Sequence, residues 1–123
     1  MGHDFEPLSA RIIEAAIAVH EALGPGFLES IYHAALRVAL SRSGIPYENK
    51  KGVCIYFEGV EVGLHQLDLL VDGQIVVELK AIKALEDVHF ATVRSYLSAT
   101  GLRVGLLLNF NASTLVVKRI VVG

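Results

Sequence analysis

The stretch HQLDLLVDGQIVVELKA, His65–Ala81, sets two apolar runs on either side of Asp72-Gly73 and plants Asp68, Glu78 and Lys80 among them. Asp-Gly between alternating hydrophobic residues is a strong short-range hairpin signal. Two registers compete. With a two-residue turn, Val71 faces Gln74, Asp68 falls opposite Val77 and Leu67 opposite Glu78, so charge and hydrocarbon share both faces. With a three-residue loop of Asp72, Gly73 and Gln74, Val71 faces Ile75, Leu69 faces Val77 and Leu67 faces Leu79, and one face is wholly apolar. The other face then carries Leu70 with Val76, Asp68 with Glu78, and Gln66 with Lys80. Because a slip of one residue sends every side chain to the wrong face, the hydrophobic pattern selects the longer loop.

That register puts two carboxylates side by side, with Cβ atoms expected about 4.5 to 5.5 Å apart, and like charges so placed repel. A proton, Lys80 or a cation has to offset the repulsion. Lys80 projects from the same face as Glu78, two residues away. Two opposed carboxylates also suit a hard divalent ion such as Mg²⁺, with waters completing its octahedron. The plainer reading is an exposed ion pair worth about 0 to 1 kcal/mol and without function; it explains a lone E-x-K but not the second carboxylate.

Outward from the hairpin, apolar periodicity predicts a helix from about Leu8 to Leu23, with Leu8, Ile12, Ala16, Val19 and Leu23 inward and Ile13 and Ile17 beside them. Gly24-Pro25-Gly26 ends it. A second helix is expected from Leu28 to Arg42, with Leu28, Ile31, Tyr32, Ala35, Val38 and Ala39 inward and Gly44 and Pro46 stopping it. Strands follow around Val53–Phe57, over Val60–Val71 and over Gln74–Ile82. A third helix, Glu86–Thr100, turns Phe90, Val93 and Leu97 inward and closes at Gly101; strands Arg103–Phe110 and Thr114–Val121 finish the chain. The order α-α-β-β-β-α-β-β implies an α/β (α+β) sandwich in which a sheet has at least one covered face.

At 123 residues one domain over 1–123 is expected, and with 53% hydrophobic and 20% charged residues no segment is polar enough to stay disordered. No apolar run approaches the about 18 residues of a membrane span, and MGHDFEP has neither the basic start nor the apolar stretch of a signal peptide, so a cytoplasmic protein is expected. The single cysteine, Cys54, has no internal disulfide partner and reads as a small core or edge residue rather than a nucleophile. A formal net charge of −2 excludes a dedicated nucleic-acid coat, so a polyanion would be met locally. His20 precedes Glu21 without a second histidine four residues on, so no H-E-x-x-H zinc site exists, and neither a phosphate loop nor a dinucleotide fingerprint is present. His33 and His65 read as structural or exposed.

Three blocks, LGPGFLESIYHAAL, DLLVDGQIVVELKAI and YLSATGLRVGLLLNF, resemble in order those of the GxxExxY proteins, a family within the PD-(D/E)xK nuclease superfamily, with Gly26, Glu29 and Tyr32 at its spacing. The resemblance runs from about Leu8 to Val121 and implies a restriction-endonuclease-like core with a mixed sheet flanked by helices. It implies that Asp68 and Glu78 bind Mg²⁺ or Mn²⁺, with the Leu79 carbonyl a backbone ligand and Glu29 an added acid. Lys80 would orient or help deprotonate the attacking water and steady transition-state charge. For Glu29 the competing reading is a helix-dipole residue. For Tyr32 the expectation is a core ring with its hydroxyl tied to a site carboxylate. Many relatives carry Q-x-x-x-Y on the third helix; here Tyr96 is present but Thr92 stands at the Gln position. His89, on the same face, either takes over that substrate contact or caps the helix.

Two functions follow. One is a Mg²⁺-dependent nuclease acting on DNA or RNA through metal-activated water. The other is a catalytically inactive nuclease-fold domain that binds protein or nucleic acid. A histidine-based metal hydrolase lacks any ligand spacing. The apolar carboxyl end, STLVVKRIVVG, offers an edge strand through which two chains can pair as a homodimer.

Overall fold

The computed structural model describes residues 6–123, and the amino-terminal stretch read above for a signal peptide lies largely outside them. Helices α1 (Glu6–Leu23) and α2 (Glu29–Arg42) precede strands β1 (Tyr47–Phe57), β2 (Val60–Val71) and β3 (Ile75–Lys80). Helix α3 (Asp87–Thr100) and strands β4 (Val104–Asn109) and β5 (Val116–Val121) follow. This is the expected order, in a sheet arranged β1-β2-β3-β4-β5 with β3 and β4 parallel and every other pair antiparallel. The fold is α+β and consistent with a restriction-endonuclease-like core.

The register follows from burial. Val71 pairs with Ile75, Leu70 with Val76 and Leu69 with Val77, so the connection is the three-residue loop. Asp72 and Gly73 both take the left-handed conformation there, at φ 52° and 64°, which Asp tolerates and Gly adopts freely.

Two apolar layers sandwich the sheet. On one face Ile12, Ala16, Tyr32, Leu36 and Leu40 of α1 and α2 pack on Leu69, Val71, Ile75, Val77, Leu79, Leu106 and Leu108. On the other, Val93 and Leu97 of α3 pack on Leu70, Val76, Leu107 and Ile120. Covered on both sides, β3 and β4 are buried nearly throughout, and for that reason read as continuous apolar runs rather than alternating ones. On the outer half of the β1–β2 hairpin Tyr56, Phe57, Val60, Val62 and Leu64 are exposed.

Three expectations need correction. Leu28, Ile31 and Val38 of the second helix are exposed, and its buried stripe is Tyr32, His33, Leu36 and Leu40. Apolar residues surround this helix almost completely, so periodicity alone could not choose the stripe. Ile17 of α1 is exposed as well. Leu67 does not share a face with Leu69: it joins the α3-side cluster, while Leu79 lies on the α1–α2 side, so the anticipated Leu67–Leu79 pair is absent. Among the described residues no helix is long and apolar enough to cross a membrane.

Candidate active site

Leu67 and Leu69 lie on opposite sides of the sheet, so the alternation of β2 is interrupted across Asp68. The ladder between β2 and β3 stops at Leu69–Val77. One step on, the Leu79 N–H donates to Asp68 Oδ2 at 2.9 Å, so a carboxylate replaces the backbone acceptor that a regular ladder would supply. On the other flank Asn49 pairs with Leu69 and Lys51 with Leu67, while Lys50 between them sits at φ 51°. From α2, His33 donates Nε2–H to the Asp68 carbonyl at 3.2 Å. Asp68 is thus held at a fork between strands by bonds on its side chain and its main chain. The expected Gln66–Lys80 pairing does not form, since the β2–β3 ladder has already ended; on the other edge of β3, Lys80 aligns with Asn109 of β4.

Glu78, opposite the fork, is 5% exposed. Its Oε2 lies 3.5 Å from Lys80 Nζ, and Oε1 is buried without a hydrogen-bond partner among the described residues. Burial first, then the charge of Asp68 and a hydrogen bond with it, push the Glu78 carboxyl up to about 8, against the opposing pull of Lys80. The ammonium alone would favour the carboxylate; desolvation and Asp68 outweigh it. Near neutral pH one proton therefore relieves the repulsion that the register creates.

Glu29 opens α2 and is exposed as a whole residue. Its carboxyl is nonetheless raised, by partial burial and then by Asp68, with Lys80, Lys50 and His33 pulling the other way, so it belongs to the same electrostatic cluster. Tyr96 of α3 faces the cluster too: burial, then Glu78 and Asp68, raise its hydroxyl to about 12, which keeps it a hydrogen-bond donor. His65 meets the Tyr96 ring edge-on at 4.8 Å.

Other candidates are committed elsewhere. The Tyr32 hydroxyl donates to the Gly24 carbonyl and accepts from the Phe27 N–H at 3.2 Å, and its ring stacks on Phe110 at 4.7 Å. It fastens the Gly24–Gly26 loop to the core and does not reach a carboxylate, contrary to expectation. Thr92 donates back to Val88 within α3 at 2.9 Å. His89 Nδ1 accepts the Glu86 N–H at 2.8 Å, which makes it the capping histidine.

Two supporting residues are not assigned to the site by the sequence, in which His33 reads as structural or exposed. His33, described above, carried no signal beyond lying one turn after Glu29. Asn109 is buried and accepts the Ile82 N–H at 3.1 Å while donating to the Ile82 carbonyl at 2.9 Å, which pins the segment that leaves Lys80. A single amide closing the run VGLLLN was its signal.

Among the described residues no three His, Cys, Asp or Glu side chains gather closely enough to hold a metal ion. The donor set that fits is smaller: Asp68, Glu78 with its orphaned buried Oε1, and the Leu79 main chain. Oxygen donors of this kind suit a hard divalent ion that retains several waters.

A family model described as the PD-(D/E)XK nuclease superfamily matches residues 6–120, nearly the whole chain and all of the fork. The chain belongs to the PD-(D/E)XK nuclease superfamily. PD-(D/E)XK nucleases generally use divalent metal ions. No curated protein matches this member in sequence. Its fold is similar to that in the crystal structure of SSO0001, with a TM-score of 0.62 and 18% identity over 95% of this chain. The match spans 59% of that longer chain, and at this identity it speaks for the fold alone.

Proposed function

We propose that residues 1–123 form a single GxxExxY-type nuclease domain that hydrolyses phosphodiester bonds of DNA or RNA with Mg²⁺ or Mn²⁺. The observation that carries this reading is the fork itself. Asp68 takes the Leu79 N–H at 2.9 Å, the neighbouring Glu78 is buried with one carboxyl oxygen unpartnered among the described residues, and Lys80 stands 3.5 Å from Glu78. Such a concentration of charge opposes folding, so a ligand that rewards it is the natural explanation.

Asp68, Glu78 and the Leu79 carbonyl would hold the ion, with Glu29 as a further acid at the rim. When bound, the ion supplies Lewis acidity and lowers the pKa of water, the nucleophile of the hydrolysis. The Leu79 N–H keeps one Asp68 oxygen oriented, leaving the other for binding. Glu78 has to give up its proton to become a ligand, and Lys80 then stabilises the carboxylate that remains. The same ammonium, partly exposed at the mouth of the fork, steadies charge developing on the phosphoryl oxygens. Tyr96 remains a donor beside them. The outer edge of β5 is where a second chain would pair and widen the surface offered to a polyanion, which a net charge of −2 does not otherwise attract.

Thermal melting and cleavage test this together. Mg²⁺ or Mn²⁺ is expected to raise the melting temperature of the wild type and of Lys80→Ala but not of Asp68→Ala. Plasmid, single-stranded DNA or RNA should be cut by the wild type, more slowly by Lys80→Ala by about 10²-fold or more, and not by Asp68→Ala. Equal thermal shifts in wild type and Asp68→Ala remove the metal site. Metal binding without cleavage of any substrate leaves the alternative, an inactive nuclease fold that binds protein or nucleic acid.

A further inference from the structure

Beside the fork, a groove of about 410 Å³ runs between the outer β1–β2 hairpin and the carboxyl half of α3. We propose that it is a nucleobase subsite, which receives one unpaired base of the strand whose phosphate reaches Asp68 and Glu78. This rests on the nuclease reading for the phosphate and on the groove for the base.

Its volume is that of a small-ligand site, and its chemistry selects a neutral planar group. Tyr56, His65, Ser95 and Ser98 line it, and among the described residues no Lys, Arg, Asp or Glu does. A phosphate seeks cations or a helix amino terminus. This groove has neither, and Ser95, Ser98 and Ala99 belong to the carboxyl-terminal half of Asp87–Thr100, where the helix dipole repels anions. A base asks for an aromatic face and fixed hydrogen-bonding groups. Tyr56 supplies the ring and is 63% exposed.

The polar groups are oriented. Ser95 Oγ donates to the Thr92 carbonyl at 2.6 Å, so towards His65 Nε2, 3.3 Å away, it acts as acceptor. With its proton committed to the main chain, Ser95 is not a nucleophile. Continuity with the fork comes along β2 and α3: His65 of the lining lies three residues before Asp68, and its ring meets Tyr96, the residue after Ser95. A paired, stacked base cannot enter without being flipped out of its stack, so the groove favours single strands.

Fluorescence anisotropy in EDTA tests this with labelled 12-mer single strands of DNA and RNA, the matching duplex, and single strands in which one abasic residue is moved along the sequence. The single strand is expected to bind about 10-fold more tightly than the duplex, and one abasic position to weaken binding about 10-fold. Tyr56→Ala, and Ser98→Phe, which fills the groove from the helix surface, should each abolish sensitivity to that position while keeping the ion-induced thermal shift. A flat abasic scan, equal binding of duplex, no binding of any strand, or undiminished sensitivity in Tyr56→Ala overturns the subsite. Cleavage with a flat scan would spare the nuclease reading and sink only this one; a positive scan without cleavage does the reverse.

Discussion

Asp68 has two duties that chemistry can separate. It accepts the Leu79 N–H, whose residue is fully buried, and it confronts Glu78 with like charge. Alanine removes both, leaving a buried donor unpaired at about 1–3 kcal/mol. Asparagine keeps an acceptor oxygen and removes the repulsion. In EDTA, urea unfolding should therefore place Asp68→Asn at or above wild type, with Asp68→Ala below Asp68→Asn by about 1–3 kcal/mol. Amide exchange at Leu79 should accelerate only in the alanine variant, and both should lose the ion-induced stabilisation. An asparagine variant as unstable as the alanine one would show that the Leu79 bond contributes nothing. The opposed carboxylates were legible because charge is conspicuous in an apolar run and hydrocarbon fixes the register. The kink was not, because it depends on a side chain competing with a main-chain carbonyl, which no alternation of residue types encodes.

At the scale of elements, existence was easier to read than orientation. Gly24 and Gly101, both at positive φ, end α1 and α3 as the sequence suggested. The stripe that α2 buries depends instead on its seat against α1 and β3, and eight apolar residues on its surface left the choice open. The α3 seat shows how tight such choices are. A Cβ built on Gly105 of β4 would lie 2.6 Å from Val93 Cγ1, too near for either β-branched side chain or backbone to yield cheaply. Gly105→Ala is expected to cost about 1–3 kcal/mol, and Val93→Ala in the same chain to recover part of it, a non-additivity that a double-mutant cycle in urea measures. Simple addition of the two losses would mean that the helix shifts freely. Because α3 carries Tyr96 and Ser95, displacement there should also disturb the fork and the groove beside it.

For the molecule as a whole, the fork ties stability to pH. Unfolded, the Glu78 carboxyl titrates near its ordinary 4.5; folded, burial and Asp68 raise it to about 8. Between those values the native chain holds a proton that the unfolded chain has released, so stability falls as pH rises. Below the lower value this contribution is fully present; above the upper it is gone. Glu29, raised for similar reasons, adds in the same direction. In EDTA the melting temperature should fall from pH 5 to pH 8.5 by an amount on the order of 5 °C, and Glu78→Gln should flatten the decline. Ion binding requires that proton to leave, so the thermal shift given by Mg²⁺ should grow across the same interval. A wild-type curve that stays level in EDTA would mean that Glu78 is already ionised in the fold. Lys80 would then dominate the fork, and the shared proton would have no part in how the chain tolerates two acids at the splayed end of its sheet.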